Sequence, residues 1–104
     1  SSAQAIDLYR SAIEYSPSPS ASMFEKLARQ WMAAGFPYEA ADVLKASVRK
    51  HPNDPKVRAD LAGLVASLGM VRDAAELYWP LLADNAGFAD AGHEPLHVEA
   101  APAR

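Results

Sequence analysis

The feature of this sequence that most constrains its fold is an internal repeat of 34 residues. When residues 21 to 52 are moved forward by 34 positions, five of them meet an identical residue in one register. Repeats of this length are typical of stacked supersecondary units, none of which can bury its apolar face alone. The five pairs are Leu27 and Leu61, Ala28 and Ala62, Gly35 and Gly69, Ala40 and Ala74, and Ala41 and Ala75.

The beginning of the chain carries half of the same unit. A shift of 35 positions places its small, apolar and proline residues on residues of similar kind in the second half of the first full unit. The matched residues are Ala5, Tyr9, Ala12, Ile13 and Pro17, which fall on Ala40, Leu44, Ser47, Val48 and Pro52.

Each full unit is predicted to form two helices joined by a tight turn. Apolar residues recur at intervals of three and four in both halves of a unit, as they do on the buried face of a helix. In the first unit, Ser22 and Glu25 have the spacing of a capping box at a helix start. Gly35 can adopt the positive φ that often ends a helix, and Pro37 suits the first turn of the next one.

The second unit carries similar signals. Asp54 is predicted to cap its first helix, which Gly69 ends. Pro80 lies inside the pattern of its second helix, where proline removes a hydrogen bond and clashes with the preceding turn. The sequence therefore predicts a kink or an early end of that helix near Trp79. From residue 86 onward no helical spacing remains, and residues 86–104 are interpreted as a tail, flexible or docked, that is rich in Ala, Gly and Pro.

Composition limits the classes of protein that this chain can belong to. Its 104 residues suit a single domain, and 50% apolar with 22% charged residues is the balance of a folded soluble protein. A net charge of −3 provides no positive field for a polyanion. The chain has no cysteine, which excludes disulfides and thiolate chemistry, and no apolar run long enough to cross a bilayer. The compartment stays open, with a slight preference for the cytoplasm.

The repeat resembles the tetratricopeptide repeat, whose pattern is an aromatic, a Leu with a small residue, a second aromatic, then Ala-x-x-x-aromatic and Pro. The second unit departs from this pattern with Arg58 and Val65 at the two aromatic positions. The first unit matches at Phe24, Leu27, Ala28, Trp31, Gly35, Ala40, Leu44 and Pro52.

The resemblance implies an all-α fold, a short right-handed α-solenoid of about five antiparallel helices. Its domains would be a half repeat at residues 3–17, full repeats at 21–54 and 55–85, and the tail at 86–104. The aromatic residues Trp31, Tyr9 and Tyr78 are then expected in the core between hairpins.

The resemblance also implies a function, non-catalytic protein recognition or scaffolding, with a helix or an extended peptide bound in a concave groove. The first helix of each repeat would line this groove. Its expected residues are Ser22, Glu25, Arg29, Met32 and Ala33 from the first repeat, and Lys56, Ala59, Gly63, Ala66 and Ser67 from the second.

Some family members hold the C-terminal carboxylate of chaperones with Lys, Asn and Arg side chains in this groove. Here Glu25 stands where that clamp has Lys, and Gly63 replaces an Asn. We therefore expect no recognition of chaperone tails.

A basic stretch extends over the second helix of the first repeat and the start of the next helix. Cations are common near a helix C-terminus, where they offset the helix dipole. An RNA-binding helical repeat would need a basic groove with polar readers, which the predicted groove lacks, so no nucleic acid partner is expected. The stretch comprises Lys45, Arg49, Lys50, Lys56 and Arg58.

No arrangement typical of catalysis is present. The acidic residues Glu39 and Asp73 recur at equivalent positions and are interpreted as helix-start charges. His93 and His97 have the spacing of two metal ligands on one helical turn, but the proline between them opposes a helix. We expect no enzyme activity, no metal and no cofactor.

Two further expectations concern the context of the chain. It is a fragment of a longer protein, or it associates with itself through its exposed terminal helices, since solenoids usually need polar caps and at least three units. The alternative function is an accessory or assembly domain of a larger enzyme or of a membrane-complex subunit, without membrane insertion of its own.

Overall fold

The computed structural model describes residues 1–84, all of whose regular structure is helical. The predicted tail and the two histidines at 93 and 97 lie outside the described residues. Connections of three to five residues join the helices. The five helices are α1 (Ser2–Tyr15), α2 (Ala21–Ala33), α3 (Pro37–Lys50), α4 (Pro55–Ser67) and α5 (Val71–Asp84).

Helix α2 begins differently from the expected capping box. Ser20 is its N-cap, and the Ser20 hydroxyl accepts a hydrogen bond from the Met23 amide at 3.3 Å. The box between Ser22 and Glu25 is wrong, because Ser22 lies inside the first turn and Glu25 bonds to side chains across the surface. At α4 the expected cap is confirmed, since the Asp54 carboxylate accepts from the Lys56 amide at 3.0 Å.

The two glycine corners have the same hydrogen bonds, 34 residues apart. Gly35 and Gly69 both have positive φ, +89° and +83°. The amide after each glycine donates to the carbonyl five residues back, Phe36 to Trp31 and Met70 to Val65, both at 2.9 Å. This pattern, together with a bond from each glycine amide to the carbonyl three residues back, is the Schellman motif. The α2–α3 and α4–α5 turns are therefore equivalent, as the repeat predicts.

Each helix packs mainly on its neighbours in the chain, α1 on α2, α2 on α3, α3 on α4 and α4 on α5. Small residues at equivalent repeat positions lie at the contacts within each hairpin. Ala28 and Ala62 are buried in α2 and α4, and Ala40 and Ala74 are buried opposite them in α3 and α5. A methyl group at these positions allows the helix axes to approach closely, so the repeated alanines explain the repeated packing. The described chain is thus an all-α fold with a helical repeat.

A long-range contact fixes the connection between α1 and α2. The ring of His51, which ends α3, lies with Nε2 2.9 Å from the carbonyl oxygen of Pro19. Because that oxygen can only accept, the Nε2–H donates. The same ring meets Phe24 edge-on, with centroids 6.3 Å apart. His51 therefore ties the end of α3 to the connection that precedes α2.

Two expectations about large residues need correction. The predicted early end of α5 near Trp79 is wrong, because the helix continues through Pro80 to Asp84, whereas the alternative of a kink there stays a prediction. Trp31, Tyr9 and Tyr78 are half-buried rather than enclosed. Trp31 and Tyr78 pack against the buried cluster that includes Ala28, Ala40 and Ala74.

Candidate functional site

The expected groove corresponds to a surface formed by α2 and α4, with α3 beneath them. Two adjoining clefts of about 190 and 210 Å³ open on this surface. Both are lined by Glu25 of α2, Leu44 of α3 and Asp60 of α4. We call this surface, with its two clefts, the α2/α4 face. Its position follows from the repeat, because α2 and α4 are the first helices of successive hairpins.

A chain of ion pairs crosses the α2/α4 face. Lys56 Nζ lies 3.3 Å from Glu25 Oε2, across the gap between the helices, and 3.0 Å from Asp60 Oδ2 on its own helix. Arg29 Nη2 lies 3.1 Å from the same Glu25 oxygen. Two acids and two bases are thus paired with each other, and Asp54, which also lines the first cleft, gives the face one more acid than base.

The ion pairs shift the pKa values of Glu25 and Lys56. The hydrogen bond from Lys56 is the main reason that the pKa of Glu25 lies below its ordinary value. The pKa of Lys56 is raised, first by its hydrogen bond to Asp60 and then by that to Glu25. Both side chains are therefore charged at neutral pH, and each is satisfied by a neighbour. A carboxylate ligand would have to compete with Glu25 and Asp60 for Lys56.

Beside the ion pairs, the second cleft is apolar. Ala28 and Met32 of α2, Leu44 of α3 and Leu64 of α4 line it. Met32 is 46% exposed and Leu64 is half-buried, so apolar atoms are accessible at the surface. Such a cleft can take one or two apolar side chains of a ligand, while the paired charges at its border bind polar backbone groups.

The structure brings five of the ten expected groove residues together. Ser22, Glu25, Arg29, Met32 and Lys56 line the two clefts. The other five, which are not among the lining residues of these clefts, are Ala33, Ala59, Gly63, Ala66 and Ser67. Ala59 is half-buried and the rest are exposed.

Gly63, one of the expected groove residues that line neither cleft, has no side chain of its own. A Cβ atom built at Gly63 would lie 3.8 Å from the hydroxyl oxygen of Tyr78 on α5. Gly63 therefore lies beside α5, and a side chain at this position would first contact Tyr78.

Sequence reasoning missed Asp60 and Leu64, which line the α2/α4 face. Asp60 follows Lys56 by four residues, a spacing that favours an ion pair on a helix and could have indicated it. The Glu25–Lys56 contact joins residues 31 apart, three fewer than one repeat. That offset depends on how far one hairpin is rotated against the next, which the repeat length does not specify.

A larger cleft lies on the other side of α2, between α1 and α3. Its volume is about 390 Å³, with Phe24 and Leu27 of α2 at its base. Sequence reasoning did not identify this cleft, because it forms between two second helices of successive units. The remaining lining residues are Arg10, Ile13, Glu14, Asp42, Val43 and Ala46.

The other charged residues singled out in the sequence lie at positions that account for their charge. Arg49 and Lys50 lie in the last turn of α3, and Glu39 and Asp73 in the first turns of α3 and α5, where their charges offset the helix dipoles. Of the basic stretch, Lys56 is paired with acids. Among residues 1–84 there is no group of three or more side chains suited to hold a metal ion.

None of the described helices has the length and apolar character needed to span a membrane. No family model matches the chain, and comparisons with curated proteins and with solved structures find no match. The candidate site is therefore argued from its own geometry.

Proposed function

We propose that this chain is a non-catalytic protein-recognition module, a short right-handed α-solenoid of the tetratricopeptide type. The equivalent corners at Gly35 and Gly69 and the packing of each helix on its chain neighbours support this architecture. In such an array each helix pair stacks on the next, and the first helices of the pairs share one surface.

The observation that carries the proposal is the direct contact between α2 and α4 over a common base. Lys56 bonds to Glu25 across the two helices, and Leu44 of α3 lies beneath both clefts. A ligand on this surface would contact two repeats at once. The module thus offers a continuous strip, polar at the ion pairs and apolar near Met32, of the kind that binds a helix or an extended peptide.

The chemistry of the α2/α4 face also indicates which peptides fit. Because Glu25, Arg29, Lys56 and Asp60 are already paired with one another, a strongly charged peptide gains little from this surface, and Asp54 beside them disfavours an acidic one. The accessible apolar atoms beside them favour a ligand with one or two apolar anchors and no net charge.

Selection of peptides from a display library of random helical and extended sequences tests the proposal. Selected peptides are expected to share an apolar anchor and to shift the amide resonances of residues around Met32 and Leu64. Met32→Glu should weaken their binding at least tenfold, as expected for loss of roughly 1.4 kcal/mol. Met32 is 46% exposed, so the substitution is expected to leave the fold intact.

Tyr38→Glu is the matched control, because Tyr38 is also an exposed large apolar residue, at 59%, and does not line either cleft. The control is expected to bind the selected peptides as the wild type does. A library that yields no binder, or binders whose affinity is the same for Met32→Glu and the wild type, would refute the proposed site.

A further inference from the structure

The second helices of the two full repeats, α3 and α5, border a groove over α4 that is not part of the α2/α4 face. It is the repeat counterpart of the cleft between α1 and α3, because α4 packs on α3 and α5 as α2 packs on α1 and α3. The offsets of 35 residues for α1 and 34 for α2 and α3 identify its residues from those that line that cleft. We call it the α3/α5 groove, formed mainly by Lys45 and Arg49 of α3, Arg58 and Leu61 of α4, and Glu76 and Leu77 of α5.

The α3/α5 groove has an apolar floor that is partly accessible. Leu77 is half-buried and packs against the buried cluster that contains Leu61. Arg58 lies three residues before Leu61 on α4 and is also half-buried. Long basic side chains at such positions cover apolar surface with their stems and keep the charged end in water. The groove therefore combines apolar contacts with positive charge.

The charge of the α3/α5 groove is the reverse of that of its counterpart. The cleft between α1 and α3 is lined by two acids and one base. The α3/α5 groove has three bases and one acid, because Arg49 stands where the cleft has Glu14, and Arg58 stands where it has Phe24. Since the same positions fold with other residues in the first groove, the repeat architecture does not require the positive charge of the second.

Neither the helix dipole nor an ion pair accounts for this positive charge as a whole. Arg58 lies in the first turn of α4, the end at which the dipole disfavours a cation, and Lys45 lies in the interior of α3. Among the side chains that the structure describes, no acid forms an ion pair with Lys45, Arg49 or Arg58. These three cations are therefore available to an anionic ligand.

We propose that the α3/α5 groove binds an acidic amphipathic helix of a partner protein. Lys45 and Arg49 are four residues, about 6 Å, apart along α3, which is also the spacing of two carboxylates one turn apart on a partner helix. Leucine side chains beside those carboxylates would pack on the floor around Leu77, as in other complexes of a helix in a groove.

The surroundings of the α3/α5 groove favour an acidic peptide over a nucleic acid. Glu76 borders the groove, and the whole chain carries a net charge of −3, so a long polyanion would be repelled outside the three cations. The site is separate from the α2/α4 face and does not depend on the function proposed for that face.

Fluorescence anisotropy with the full chain tests the proposed site. The probe is a labelled helical peptide, about as long as α3, with two Glu side chains four positions apart beside a row of Leu. It is expected to bind saturably and to lose most of its affinity at about 1 M salt, where the Debye length falls to about 3 Å. Lys45→Gln, Arg49→Gln and Arg58→Gln should each raise the dissociation constant about three- to fivefold.

Lys50→Gln is the matched control, because it removes the same charge from the last turn of α3. The counterpart of Lys50 is Tyr15, which does not line the cleft between α1 and α3. This variant should bind the peptide as the wild type does. Equal losses in the control and the groove variants would show attraction by overall charge and overturn the site. The proposal is also overturned if the full chain does not bind the peptide saturably at about 1 mM, or if it binds single-stranded RNA more tightly.

Discussion

Replacing the corner glycines by alanine tests whether the two turns are equivalent. Gly35 and Gly69 have φ of +89° and +83°, a conformation that L-residues with a Cβ rarely adopt. A Cβ atom built at either position meets no heavy atom within 4 Å. Because space is available, the effect of Gly35→Ala or Gly69→Ala on stability comes from the backbone alone.

The magnitude follows from two opposing terms. The left-handed conformation costs an alanine about 1–2 kcal/mol, whereas the smaller freedom of alanine in the unfolded chain returns about 0.4–1 kcal/mol. Each substitution is therefore expected to lower the free energy of unfolding by about 1 kcal/mol. For a domain of this size that corresponds to a fall in Tm of about 4–8 °C. The two variants should agree within about 0.5 kcal/mol, since their corners have the same hydrogen bonds.

Gly63→Ala is the matched control, because Gly63 lies inside α4 with ordinary helical φ. Its new methyl group would contact the Tyr78 hydroxyl at an ordinary distance, 3.8 Å. Here alanine should raise the free energy of unfolding by about 0.5–1 kcal/mol, through helix propensity. Urea unfolding followed by circular dichroism measures all three variants. A neutral or stabilising effect at either corner, or unequal losses at the two, would refute the reasoning.

Three further predictions concern the ion pair of Glu25 with Lys56, the contacts of His51, and the equivalent repeat positions Ala41 and Ala75. Because the pKa of Glu25 lies below its ordinary value of 4.5, its pairing with Lys56 stabilises the protein above that pH and is lost as the pH falls through the lowered value. The difference in the free energy of unfolding between wild type and Glu25→Gln should thus be present at pH 7, at under about 1 kcal/mol for so exposed a pair, and should shrink as the pH falls below 4.5. A difference that grows on acidification would contradict this. His51→Ala removes a hydrogen bond to the α1–α2 connection and an aromatic contact with Phe24. It should lower the free energy of unfolding, measured in urea, by about 1–3 kcal/mol. No loss would show that His51 does not make these contacts in solution. Ala41→Leu should lower the free energy of unfolding by about 1–3 kcal/mol, because Ala41 is buried. Ala75→Leu, at the equivalent but exposed position, should change it by less than about 0.5 kcal/mol. Equal effects of the two substitutions in thermal unfolding would contradict the described packing.

The sequence predicts the helices and their corners because these depend on local chemistry. The glycines at 35 and 69 end helices through their own φ, and Asp54 caps α4 through a bond to a residue two positions away. The cap of α2 was misplaced because serines stand at both 20 and 22, and spacing alone does not tell which one precedes the first helical residue. Pro80 predicts a kink or an early end of α5, and the early end is wrong because the helix continues to Asp84.

The candidate site was only half predicted, because it depends on the rotation of one hairpin against the next. Repeat positions correctly placed Glu25 and Lys56 on a common surface. They could not show that Lys56 reaches back across the gap to Glu25, or that Leu64 rather than Gly63 lines the apolar cleft. These contacts involve residues about 30 apart in sequence, whose relative position comes from packing rather than from helical periodicity.

Methyl nuclear Overhauser spectroscopy of the 104-residue chain would show whether the two hairpins stack, with α2 and α4 side by side over α3. The structure predicts cross-peaks from Leu44 of α3 to Ala28 of α2 and to Leu64 of α4, since all three line one cleft. Cross-peaks from Leu44 to Ala28 without any to Leu64 would mean that the hairpins form but do not stack, and would contradict both the repeat architecture and the α2/α4 face.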